Sequence, residues 1–184
     1  MVAIDPGTNV LLQAPSLSAA RHDRCQELLA PGDPAGLDVL RITYSDDPQS
    51  LLDDWRETVG EMPARTGIVV VGGAADFEGV TDPTDGDTVA VTTANPNDLT
   101  GLGMRLNNYL NDVDPENQLV VCLDSLTELL QFVDVQSAFK FLHMFTGQLR
   151  EANGIGHFHI DPDAHDPKVI SQLKPAFDRQ ITVE

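Results

Sequence analysis

The sequence predicts an α/β fold, a three-layer sandwich with helices on both faces of a mostly parallel central sheet. Three observations carry that prediction. Short apolar runs alternate along the chain with longer stretches whose apolar residues recur at helical spacing. The run Ile68–Val71 is entirely β-branched, as expected of a strand covered on both faces. Hydrophobic residues make up 41% of the 184 positions and charged residues 22%. A chain of that size buries roughly 70% of its unfolded surface, enough for one core, so residues 1–184 read as a single domain.

The elements follow in order. Residues 9–14 (NVLLQA) form a first strand, and residues 18–30 a helix with Cys25, Leu28 and Leu29 on one face, stopped by Pro31-Gly32. Residues 37–44 are the second strand. The second helix, 48–61, carries Leu51, Leu52, Trp55 and Val59 on its packing face. After the strand at 68–71, residues 74–87 hold five acids, two glycines and a proline and read as a surface loop. A strand at 88–92 leads to a helix expected from an Asn97 N-cap to Val113, with leucines at positions 99, 102, 106 and 110. Residues 118–123 (QLVVCL) are the most hydrophobic strand, and Ser125-x-x-Glu128 reads as a capping box opening the next helix. A long helix, 135–152, ends at Gly154, and a strand follows at 156–160. Asp166-Pro167 opens a helix to about Phe177, and residues 179–183 close the chain as a last strand.

Charge locates the protein rather than its partner. The chain carries 29 acids against 11 bases, for a formal charge of −18, and the acids are 21 Asp to 8 Glu while only 3 of the bases are Lys. A dense short-acid, lysine-poor surface is the composition of proteins from a salt-saturated cytoplasm. At about 1 M salt the Debye length is about 3 Å, so net charge steers no distant partner. Nucleic acid is excluded because phosphate binding weakens with salt and no basic cluster drives it. No apolar run approaches a membrane helix and no signal peptide opens the chain, so the expected setting is cytoplasmic, with no membrane association. Two cysteines make neither a disulfide framework nor a four-cysteine zinc site.

The order of these features resembles the RecA-like ATPases, in particular their KaiC-type archaeal branch. Residues 38–55 (DVLRITYSDDPQSLLDDW) resemble the strand of that branch that ends in paired acids before a helix. Residues 120–127 (VVCLDSLT) match its Walker B pattern, and residues 139–183 resemble its C-terminal half. The combination also resembles haloarchaeal proteins labelled HTR-like. The resemblance implies a P-loop NTPase-like core and, in an intact member, ATP with magnesium.

The phosphate loop is where this chain departs from the family. A Walker A motif needs G-x-x-x-x-G-K-[ST], glycines to wrap phosphate, a lysine to neutralise it and a hydroxyl for magnesium. The corresponding residues are Ala14, Ala19, Ala20 and Arg21, and Pro15 removes a further backbone donor. Ser16, Ser18, Arg21, Asp124 and Ser125 are therefore the residues of a vestigial nucleotide site. By the same resemblance Asp46 and Asp47 occupy the place of the paired glutamates that activate water. Each is one methylene short, and a surface turn explains them equally simply. Asp124 reads as a magnesium acid or as a polar strand end before a capped helix.

His157, His159 and Asp161 alternate along one predicted strand, share a face, and with Asp163 and His165 nearby form a candidate metal cluster. The alternative is a polar strand end with His165 helping to cap the next helix. Cys25 and Cys122 read as small core residues. Two functions follow. The first is a non-catalytic RecA/KaiC-like domain in regulation or signal transduction, acting through a protein partner or as a homo-oligomer, with no cofactor. The second is a nucleotide-binding ATPase or switch with a divergent P-loop that takes ATP and magnesium.

Overall fold

The computed structural model describes residues 3–72 and 89–184. Its seven strands are β1 (Asn9–Gln13), β2 (Leu37–Thr43), β3 (Arg65–Val71), β4 (Val89–Ala94), β5 (Gln118–Asp124), β6 (Ile155–Ile160) and β7 (Arg179–Thr182). They form one sheet in the order β4-β3-β2-β5-β6-β1-β7. Every pairing is parallel, so the mostly parallel expectation becomes fully parallel among the described residues. The expected acidic loop at 74–87 and the first residue of the expected strand at 88–92 lie outside the described residues.

Among the described residues six α-helices cover the sheet: α1 (Ala19–Leu29), α2 (Pro48–Thr58), α3 (Leu99–Asn111), α4 (Leu126–Phe132), α5 (Val135–Glu151) and α6 (Pro167–Leu173). The period-two alternation of the strands sorts the core into two layers. On one face Val39, Val120 and Cys122 meet Cys25 and Leu29 of α1 and Trp55 of α2. On the other, Leu40, Ile42, Val121, Leu123 and Phe158 meet α3, α4, α5 and α6. Phe158 packs edge-on against Phe145 of α5 at 6.1 Å between ring centroids. The three-layer α/β sandwich is the one the sequence predicts.

Differences of detail have local causes. The α3 helix is capped by Asp98, whose carboxylate accepts from the Gly101 N–H, and not by Asn97. The α2 helix stops at Thr58 because Gly60 takes φ +96°. At the end of α5 the left-handed residue is Asn153, φ +54°, and Gly154 donates back to the Leu149 carbonyl at 2.8 Å. The α6 helix ends at Leu173 and passes into a short 3-10 turn, 174–176. The β3 strand starts three residues earlier than expected, and its Gly67 lies under the Tyr109 ring, where a Cβ would sit 2.2 Å from Cε2. That tyrosine donates to the buried Asp38 carboxylate, and Arg65 stacks 4.0 Å over its ring, so the amino end of the sheet is closed by a self-satisfied polar cluster.

Candidate functional site

The carboxyl ends of parallel strands form the ligand-binding edge of an open α/β sheet. Here β6 lies between β1 and β5, so the loop after β1 and the acid ending β5 face each other across the end of β6.

The loop between β1 and α1 spends its own donors. Ala14 N–H donates to the Ile160 carbonyl at 3.1 Å, and Ser18 N–H to the Pro15 carbonyl at 3.1 Å. Ser16 donates through both its N–H (3.1 Å) and its Oγ (2.8 Å) to one carboxylate oxygen of Asp161. An internal anion thus sits on the loop whose N–H groups, in a phosphate loop, cradle an external one. Ser18 is the N-cap of α1 and accepts from the Arg21 N–H at 3.3 Å. Burial works to raise the Asp161 carboxyl, but the two hydrogen bonds from Ser16, with the Asp163 N–H and the nearby His165, together outweigh it and hold the group below its usual range.

Arg21, in the first turn of α1, reaches across and forms an ion pair with Asp124, each side chain being 19% exposed. Burial opposes the guanidinium charge, but the Asp124 carboxylate outweighs it and raises the Arg21 pKa. Ser125, joined to Asp124 by a cis peptide, caps α4 by accepting from Glu128 N–H at 3.3 Å. The reciprocal half of the expected capping box is replaced: the Glu128 carboxylate accepts from the Ser45 and Ser125 hydroxyls instead.

Asp46 and Asp47 part ways. Asp47 caps α2, accepting from the Ser50 N–H at 3.1 Å. Asp46 turns toward the cleft beside Asp124, hydrogen-bonded to Thr43 Oγ1 at 3.3 Å. Burial first, and then the Asp124 charge, raises its pKa. The cleft, about 250 Å³, is walled by Asp46, Asp54 and Asp124 against Arg21 and Arg41. Its first-turn cation is already paired with Asp124, which leaves Arg41 as its other arginine, facing the carboxylates of Asp46 and Asp54.

One layer deeper lies a group that the sequence brought only half into view. Cys25 is one helical turn beyond Arg21, Cys122 stands two residues before Asp124 on the same face, and His157 is the β6 residue in register with Cys122. His157 and His159, 0% and 1% exposed, point to the α1 face, their rings 5.1 Å apart. Cys25 Sγ lies 3.2 Å from His157 Nε2 and 3.9 Å from Cys122 Sγ. Contact with Cys122 pushes the Cys25 thiol well down, and the same contact with burial pushes Cys122 up. Among the described residues none bonds His157 Nδ1 or either ring nitrogen of His159.

Asp161 does not join the two histidines as the alternation predicted. The strand ends at Ile160, and Asp161 turns to Ser16 and to the N–H of Asp163, capping the 3-10 turn 162–164. His165 meets Thr127 Oγ1 at 3.1 Å, while Asp166 caps α6. The two cysteines are buried core residues as expected, but they meet each other and the histidines, a pairing across 97 and 132 residues that no local pattern carries.

A family model described as a family of unknown function, DUF7504, matches residues 7–183. The chain belongs to that family. No curated protein matches it in sequence. Among solved structures it is similar to the PH0250 protein of Pyrococcus horikoshii OT3, with a TM-score of 0.64 and 9% identity over 98% of this chain and 84% of that one. It is also similar to the flagellar accessory protein FlaH of Methanocaldococcus jannaschii, with a TM-score of 0.55 and 10% identity over 98% of this chain and 73% of that one. These likenesses, with the parallel seven-stranded sheet, make the fold RecA-like. No helix among the described residues is long and apolar enough to cross a membrane.

Proposed function

We propose that this chain is a single RecA-like domain of a halophilic archaeon that does not hydrolyse ATP and acts in regulation or signal transduction, in the cytoplasm, by binding another protein. The observation that carries the reading is the Arg21–Asp124 ion pair. In a working site Asp124 would hold magnesium and a neighbouring lysine would hold phosphate; here one protein cation occupies the acid, and the chain has no lysine in the loop. The Asp161 carboxylate on Ser16 supports it from the other side, since it neutralises donors that phosphate would use. Binding MgATP requires breaking both contacts and placing a polyphosphate in a cleft where Asp46, Asp54 and Asp124 outnumber Arg21 and Arg41.

The partner arm rests on analogy. Fold does not fix function, and the support is that the FlaH neighbour is a flagellar accessory protein. The acid-rich, lysine-poor composition supports the halophilic assignment.

MgATP titrated into the purified chain in multi-molar KCl tests the reading. The expected result is no saturable heat and no shift in melting temperature at millimolar ATP, because a ligand at 100 times its Kd stabilises by about 2.7 kcal/mol and is easily seen. Saturable binding that disappears with Asp124→Ala overturns it in favour of a nucleotide switch. Purification from native cells at native salt reads the partner arm: a stoichiometric companion is expected, and a solitary monomer counts against it.

A further inference from the structure

The Cys/His group beneath the ion pair has the composition and spacing of a metal site. Cys25, Cys122, His157 and His159 each offer one ligand atom, all four atoms lie within 4.8 Å of one another, and all four residues are buried. Zinc bonds of about 2.3 Å to sulfur and 2.0–2.1 Å to imidazole nitrogen place neighbouring ligand atoms of a tetrahedron about 3.3–3.8 Å apart. The Cys25–Cys122 and Cys25–His157 separations, 3.9 and 3.2 Å, already lie at that scale.

Polar satisfaction separates this group from an ordinary core. Buried polar atoms nearly always have partners, and each exception needs an explanation. His159 has none at either ring nitrogen, although it is 1% exposed and sits in the middle of a sheet layer. A disulfide would leave those nitrogens as they are and would need the sulfurs to close from 3.9 Å to about 2.05 Å. A hydrogen-bonded Cys–His pair uses only His157. One ion at the centre of the group engages one ring nitrogen of each histidine and both sulfurs together, which neither alternative does.

We propose that Cys25, Cys122, His157 and His159 bind one Zn²⁺ in a closed tetrahedral site. Binding forms two Zn–S and two Zn–N bonds while both thiols release their protons to solvent, so two thiolates balance the ion and the buried site is neutral. Four protein ligands leave no open position, which makes the role structural. The ion ties α1 to β5 and β6 directly behind Arg21 and Asp124, and so holds the first turn of α1 against the strand edge.

The test is metal content of the full chain purified under reducing conditions. One zinc per chain is expected. Cobalt refolded into the metal-free chain should give the visible ligand-field bands of a tetrahedral site and a thiolate-to-cobalt charge-transfer band. Cys25→Ser and His159→Gln should each lose the metal, whereas Asp161→Asn should keep it. Removing zinc from the wild type should lower the melting temperature by about 10 °C or more. Two titratable thiols with substoichiometric metal, a Cys25–Cys122 disulfide, or a cobalt form without thiolate charge transfer would each overturn the proposal. The wild-type cobalt spectrum keeps it testable if a variant fails to fold.

Discussion

Two clusters of polar side chains lie on the same face of the sheet, one layer apart, and differ in how they meet their own needs. At the carboxyl edge Arg21 neutralises Asp124, Asp161 receives the donors of Ser16, and Asp47 and Ser125 cap helices. One layer below, two sulfurs and two imidazoles converge, with three buried nitrogens that find no partner among the described residues. A self-satisfied cluster has little to gain from a ligand, and an unsatisfied one is stabilised by whatever completes it. The edge that resembles an ATP site is therefore the closed one, and the group that resembles core is the one built to receive something.

The largest expected effect breaks that comparison by its sign. His159→Leu nearly conserves volume and removes both orphaned nitrogens. In zinc-replete buffer it should lower the melting temperature by about 10 °C or more, through loss of the ion. In metal-free buffer it should be neutral or stabilising, since two buried unpaired nitrogens are gone. A stabilising effect in both buffers would make the lower cluster as self-contained as the upper.

The upper cluster is probed next. Arg21→Met should cost about 2 kcal/mol in denaturant unfolding, between the values for exposed and for fully buried pairs. In a double-mutant cycle with Asp124→Asn the coupling should be about 1–2 kcal/mol. Zero coupling would mean that the pair is not what closes the edge.

Asp46→Asn should give the smallest effect, and its pH dependence identifies the cause. Burial and the Asp124 charge raise the folded-state pKa of Asp46, so the folded chain binds that proton more tightly than the unfolded one. The wild type therefore loses stability as pH rises from the ordinary aspartate value through the raised one. The asparagine variant should match the wild type below that window and exceed it above, by up to about 1 kcal/mol at neutral pH because the site is half-exposed. Glu128 is raised by burial first and in part by the Asp46 charge, so the difference between the two pH–stability curves contains the Asp46 proton together with the relief of Glu128.

The elements were legible because their signals are local. A continuous apolar run marked β5, alternating histidines marked the face of β6, proline and aspartate marked the start of α6, and the missing lysine and glycines marked the loop after β1. Asp161 was misplaced with the histidines because alternation says which face a residue takes only while the strand lasts, and the strand stops at Ile160. Asp46 and Asp47 were indistinguishable as a pair of adjacent acids, since the Ser50 N–H that claims one of them is a property of the folded helix start.

The sequence by itself determined the layered α/β architecture, the absence of Walker A glycines and lysine after β1 and the acid-rich composition, because periodicity, motif residues and composition are written at short range. The tertiary structure decided what took the places left vacant. Only the fold puts Arg21 on Asp124 across 103 residues and Asp161 on Ser16 across 145. Only the parallel order β5-β6-β1, with α1 laid over it, brings Cys25 and Cys122 to two histidines. Such contacts depend on which strands become neighbours, and strand order is set by the packing of the whole core.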